Sequence, residues 1–397
     1  MKVVHLCNLP LPAGHPDYGK IQTHPGRWVL NLALAQKVHT KIHPILVVQI
    51  PGAKVDYQEE VEGIMVHYLA APDRFRSTTL FYFDARRIST YVQKLKPDLV
   101  HAHGTEDAYA LAAQATGLPC VLTVQGCYFI INRELPPRLF SRGRVIQGTE
   151  WLALRRAKHV VAKSSYVNNE LKKEFPHLCL HEIPNTFDPR LLGISIHGPR
   201  RMGHLAFVGT IVERKGVHIL RQALEIIRSE YSESFLKIHL HIFGDRPDAL
   251  AGSYEGREKQ ALGDLLGKRL ILHQTIQAPQ LAQELSTIPV LVAPSLEEMF
   301  GNQVIEAIMV GTWPIVTEQT AMAENVKVAS FGCCVAQKDP KQLARTVLSK
   351  VFEPLVPSEA TKARTTILAR MGPEVVAQGH LKVYQEVEGN RQVAFLR

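Results

Sequence analysis

Short apolar runs rich in β-branched residues alternate with amphipathic stretches along the whole chain, and few folds accept that alternation. Strand-like runs stand at Val3–Cys7, Pro44–Gln49, Leu99–Ala102, Cys120–Val124, Val160–Ala162, Leu205–Val208, Ile238–Phe243, Leu270–His273 and Pro289–Ala293. Helix-like stretches separate them at Arg27–Val38, Leu80–Leu95, Ala108–Thr116, Trp151–Ala157 and Leu281–Leu285. Strands that alternate with helices build parallel sheets, because each crossover lays a helix over a sheet face. At 397 residues the chain is too long for one comfortable core. A break at Pro184–Gly203, carrying Pro189, Gly193, Gly198 and Pro199, divides it. The expected class is α/β with two doubly wound domains, 1–190 and 191–372, and a terminal segment 373–397.

Composition narrows the setting. Hydrophobic residues make up 46% and charged residues 21%, the balance of a globular chain. No apolar run approaches the ~20 residues of a membrane span. Met1–Cys7 reads as a first strand and not as a signal peptide. The six cysteines, at 7, 120, 127, 179, 333 and 334, show neither a disulfide framework nor metal-ligand spacing, which points to a reducing cytoplasm. Cys333 and Cys334 read as small core residues. Residues 1–190 hold 23 Lys/Arg against 16 Asp/Glu, a balance of +7, so most of the net +9 lies in this half. Such a half suits an anionic partner, either a lipid-pyrophosphate acceptor or the inner face of a membrane. It equally suits a solvated basic face. Nucleic acid is not expected, since the basic residues carry no aromatic interleaving or helix-turn-helix pattern.

The most specific chemistry lies after the apolar run Pro289–Ala293. Pro294-Ser-Leu-Glu-Glu-Met-Phe-Gly301 leads into a short apolar helical stretch at 303–310, which Gly311 ends. A strand-to-helix turn of this kind offers backbone N–H groups to an anion. Glu298 stands on the turn and Glu306 on the helix, two acceptors for sugar hydroxyls. Earlier, Leu205–Val208 runs into Gly209-Thr210, then Lys215-Gly216, then a helix marked by Val217, Leu220, Leu224 and Ile227. Gly209 clears space for a diphosphate and Lys215 supplies a point charge. A P-loop is excluded, because Arg214 precedes Lys215 and Gly216 follows it.

Glu298 and Glu306, with Phe300-Gly301, Ala307, Gly311 and Pro314, resemble the E-x7-E signature of the retaining glycosyltransferases of family 4. Gly209 and Lys215-Gly216 resemble the opening of that family's nucleotide-binding domain. The resemblance implies the GT-B fold, two Rossmann-like domains facing across a cleft. It also implies that a last helix, here containing His380 to Tyr384, crosses back to the amino-terminal domain. It implies metal-independent sugar transfer from a UDP- or GDP-linked donor to a glycan, lipid-linked or small-molecule acceptor, as in polysaccharide biosynthesis, with no other cofactor. By the same resemblance Glu306 would hold ribose and Glu298 the donor sugar. Lys215 with the amides of Gly301, Asn302 and Gln303 would stabilise the departing diphosphate, beside Phe300, Gly209 and Thr210.

This chain departs from the family in several places, Met299 and Thr186 each standing where the family often has Gly. Thr210 stands where the family has Arg; either Arg214 or another cation replaces it, or phosphate is held more weakly. Gln125, in Thr123-Val-Gln-Gly126, stands where relatives have a His facing the donor sugar, and Gln cannot titrate. Thr23-His24 occupies the place of a Gly-Gly turn. In Lys96–Gly104, His101 reads as a packing or hydrogen-bonding residue and His103, nearer the strand end, as one facing the ligand; without a third ligand they make no metal site. Ile183-Pro-Asn185-x-x-Asp188 resembles the strand end before the family's linker. Seven basic residues from Arg133 to Lys158, Arg138 among them, read as a solvent-facing surface or as an acceptor-phosphate site. The departures leave one rival, a GT-B-like protein that binds a nucleotide sugar without transferring it.

Overall fold

The computed structural model describes residues 1–21, 26–134, 136–137, 141–247, 249–250 and 252–395; Thr23, His24 and Arg138 lie outside the described residues. The chain divides into two compact units, Met1–Thr186 with Met371–Arg397, and Phe187–Arg370.

The first unit is built on eight strands: β1 (Lys2–Leu6), β2 (His43–Pro51), β3 (Tyr57–Val61), β4 (Ile64–Ala71), β5 (Leu99–His103), β6 (Cys120–Thr123), β7 (His159–Ala162) and β8 (Cys179–Glu182). Their order is β3-β4-β2-β1-β5-β6-β7-β8, and every pairing is parallel except β3 with β4. β5 is buried throughout and β1 nearly so, as expected of central strands covered on both faces. β3 was not expected from the sequence. It pairs with β4 through the two-residue turn Glu62-Gly63, both with positive φ, which is the hairpin geometry that matches strand twist. Its Gln58, Glu59 and Glu60 place polar and charged side chains on the sheet edge, which discourages edge-to-edge pairing. The terminal helix Pro373–Phe395 buries Val376, Val383, Tyr384 and Val387 in one cluster with Val3, Leu99, Val121 and Val161. Each such side chain contributes roughly 1.5–3 kcal/mol by leaving water.

The second unit has six strands: β9 (His204–Val208), β10 (His239–Asp245), β11 (Leu270–Gln274), β12 (Val290–Ala293), β13 (Trp313–Thr317) and β14 (Cys333–Val335). All pairings are parallel, in the order β11-β10-β9-β12-β13-β14. Counted within the unit this is 3-2-1-4-5-6, the Rossmann order, which reverses between β9 and β12. Val217, Ile219, Leu220, Ala223, Leu224 and Ile227 of the helix Val217–Glu230 bury against the sheet core. Cys333 and Cys334 are not core residues: both are partly exposed on the edge strand β14. Among the described residues no helix is long and apolar enough to cross a membrane.

Candidate active site

The two motif-bearing loops of the second unit follow β9 and β12, the neighbours at which strand order reverses. That is where open parallel sheets leave room for a ligand. Gly209 bends out of β9 with φ +133°, its amide donating to Phe243 O at 2.8 Å. A single 3-10 turn, Glu213–Lys215, leads to Gly216 at φ +72° and the helix Val217–Glu230. A Cβ on residue 216 would lie 2.0 Å from Pro294 O, so only glycine lets the first loop seat on the second. Leu296 N donates to Arg214 O at 2.8 Å, and Arg214 Nη1 to Glu297 O at 2.9 Å, which stitches the loops together.

The consequence is an ion pair between Lys215 and Glu298, each with 15% of its side chain exposed. Arg214 Nη1 lies 4.0 Å from the same carboxylate. Burial alone would raise the pKa of Glu298; Lys215 and then Arg214 outweigh it and hold the carboxyl below its ordinary range. Arg214 thus brings positive charge to this carboxylate, while Thr210 is exposed.

The turn after β12 is held from below. Asn325 Nδ2 donates to Phe300 O at 2.9 Å, and Ala321 N to Glu298 O at 3.0 Å. Phe300 is buried, so it anchors the turn by packing. Gly301 has φ +80°, and a Cβ there would meet Met322 Cγ at 2.4 Å. The helix Asn302–Met309 begins at Gly301 without a side-chain cap, the situation in which helix amides bind an anion. Gln303 Nε2 reaches Met322 Sδ at 3.6 Å. Four residues into the helix, half-buried Glu306 has its pKa raised to about 7, by burial first and then by Asp188. Asp188 is buried and bonded by its neighbour's guanidinium, Arg190 Nε at 2.9 Å and Nη2 at 2.6 Å. The sequence marked Asp188 only as part of a linker motif; its proximity to Glu306 is set by the fold.

In the first unit Gln125 follows β6. Its Oε1 accepts from Lys163, and its buried Nε2 has no partner among the described residues. Lys163 is itself 5% exposed and lies 5.7 Å from the centre of the Trp28 ring. Sequence reasoning passed over Lys163, since nothing local marks a lone lysine. His103, expected to face the ligand, is 5% exposed and shares a 2.9 Å hydrogen bond with His5. His5 also bonds Gln36 at 2.9 Å, and His101 bonds Tyr384 and Thr123 at 2.6 Å each. Burial holds these rings neutral, lowering His5 to about 3 and His101 and His103 well below 6.5. Buried Glu150 accepts from the amides of Tyr128 and Phe129 and the hydroxyl of Thr105, so it braces this half from within the basic segment.

Two family descriptions match the chain. "Glycosyltransferase Family 4" covers residues 26–191 and "Glycosyl transferases group 1" covers residues 203–351. No curated protein sequence matches it. Among solved structures, it is similar to sucrose-phosphate synthase from Thermosynechococcus elongatus, with 18% identity, 98% and 99% of the two chains covered, and a TM-score of 0.75. The trehalose-6-phosphate synthase OtsA is similar at 12% identity, 97% and 99% coverage and a TM-score of 0.73. So is HepE from Anabaena, solved with UDP and glucose, at 16% identity, 97% and 100% coverage and a TM-score of 0.65. These likenesses show the GT-B fold, and with the two family matches the chain belongs to the GT4-type glycosyltransferases.

Proposed function

We propose that this glycosyltransferase moves a sugar from a UDP- or GDP-linked donor to a hydroxyl of a glycan, lipid-linked or small-molecule acceptor. The anomeric configuration is retained and no metal ion takes part in transfer. The observation that carries the reading is the Lys215–Glu298 pair, held where the strand order reverses and beside an uncapped helix N-terminus. Departing diphosphate gains negative charge as the glycosidic bond stretches. Fixed positive charge at Lys215 and Arg214, with the first amides of the helix from Asn302, stabilises that charge more in the transition state than in the ground state. Freed from Lys215 by the phosphate, Glu298 accepts hydrogen bonds from donor-sugar hydroxyls and faces the positive charge that develops on the ring. Glu306 takes the ribose hydroxyls. On the first unit, Gln125 Nε2, without a partner among the described residues, is left able to donate to a sugar hydroxyl, with Lys163 fixing which amide atom is the donor.

A peripheral contact with an anionic membrane face belongs to the same proposal. Phe75, Leu80, Tyr82 and Phe83 are exposed, as are Arg74, Arg86 and Arg87 near them in the chain. A segment that exposes both apolar side chains and arginines suits the boundary between headgroups and acyl chains.

Nucleotide sugars screened for slow donor hydrolysis, with the released nucleotide quantified, test transfer without knowledge of the acceptor. One UDP- or GDP-sugar is expected to turn over at a rate that added Mg²⁺ or Mn²⁺ leaves unchanged. Nucleotide binding without turnover on any donor would favour the rival reading, a nucleotide-sugar-binding protein without transferase activity.

A further inference from the structure

We infer that His159, Cys179, His181 and Glu386 form a zinc site that fastens the terminal helix to the edge of the first sheet. β7 and β8 run parallel with His159 opposite Cys179 and Val161 opposite His181. Residues in register share a sheet face, and Cys179 and His181, two apart, share it as well. The helix Pro373–Phe395 packs on that face, since Val161, Val383 and Val387 lie in one apolar cluster. One turn of this helix brings Glu386 to the three strand residues.

Four of the six separations between donor atoms are close to those of a coordination shell. His159 Nδ1 lies 3.3 Å from His181 Nε2, and Cys179 Sγ lies 3.7 Å from His181 Nε2. Glu386 Oε1 lies 3.6 Å from Cys179 Sγ and 3.9 Å from His159 Nδ1. All four atoms fall within 4.8 Å of one another. Tetrahedral zinc, with bonds of about 2.0–2.3 Å, sets its ligands roughly 3.3–3.8 Å apart. Two imidazoles, a thiolate and a carboxylate are a zinc donor set, and the two anions balance a divalent ion. Glu386 is 49% exposed and His159 4%, so the cluster opens to solvent on one side, giving an ion its entry path.

Among the described residues, a second group with metal-ligand spacing, His5, His101 and His103, does not offer this. Its rings already bond one another, Gln36, Tyr384 and Thr123, deep in the unit. Chain order hides the proposed site. Only Cys179 and His181 are near neighbours, while His159 and Glu386 come from a second strand and from the last helix.

The test uses the full chain without an affinity tag, stripped with a chelator and titrated with Co²⁺. About one equivalent should bind, giving intense tetrahedral bands in the visible and a thiolate-to-cobalt band in the near ultraviolet, both abolished by Zn²⁺. Zn²⁺ should also raise the thermal midpoint. Cys179→Ser should lose the thiolate band. His181→Ala, and Glu386→Ala at the exposed ligand, should each weaken Co²⁺ binding by about 100-fold or more, at least the loss typical of outer-shell partners. Absence of the thiolate band in the wild type, or its persistence in Cys179→Ser, would overturn the assignment. So would undiminished Co²⁺ affinity in a folded Glu386→Ala. None of these readings depends on glycosyl transfer.

Discussion

Lys215 and Glu298 face each other as an ion pair, and under the proposed function a phosphate would take the place of the carboxylate beside Lys215. The ammonium neutralises a buried carboxylate, as a phosphate would be neutralised by Lys215, and the exchange costs less than desolvating either charge alone. Lys215→Ala should therefore fold yet lose turnover on the order of 100-fold, the scale of losing one electrostatic stabiliser. Steady-state kinetics should place the loss mainly in kcat, and wild-type turnover would reduce Lys215 to a packing partner. Glu306 gives a pH signature. Its pKa is about 7 in the folded chain, against ~4.3 when unfolded. Its stabilising contribution is fully present below the unfolded value and is lost as pH rises through 7. A ribose hydroxyl donating to the ionised form reverses this preference and lowers the pKa. Nucleotide binding should then release protons near pH 6–7 and tighten as pH rises to 7. Calorimetry in buffers of different ionisation heat measures that release; proton uptake, or none in a folded protein that binds nucleotide, would remove Glu306 from the ribose site.

At the scale of elements, the strand–turn–helix units at 205–227 and 289–310 were legible because their signals are local. An apolar run, a glycine and a periodic stretch stand in order within about twenty residues of one another. The physical need for Gly216 was not legible, since its close neighbour is a carbonyl at Pro294, far along the chain. The same holds for the approach of Asp188 to Glu306 and for the His–Cys–His–Glu cluster, which spacing alone argued against. The β3–β4 hairpin was missed because Glu62-Gly63 is a weaker turn signal than Asn-Gly. The bond between His103 and His5 was not legible, because strand position indicates a face but not what covers it. The segment from Arg74 to Phe83 carries its own prediction. Binding to anionic vesicles should fall steeply as salt rises, and Phe75→Ser with Phe83→Ser should weaken it further. Equal affinity for neutral and anionic vesicles would leave the arginines as solvated surface.

For the whole molecule, alternation of apolar runs and amphipathic stretches was enough to anticipate two parallel sheets. It could not tell which unit the terminal helix joins, because that depends on contacts such as Tyr384 with His101, 283 residues apart. The second unit carries the charged pair, the helix N-terminus and Glu306; the first carries Gln125, Lys163 and the basic excess. Under the proposed function, the residues of the second unit would serve retaining transfer from a nucleoside-diphosphate sugar. The most direct measurement is the anomeric configuration of the sugar first released from the productive donor, followed by proton NMR before mutarotation scrambles it. The account predicts that an α-linked donor yields the α-anomer first. Initial release of the β-anomer would contradict it.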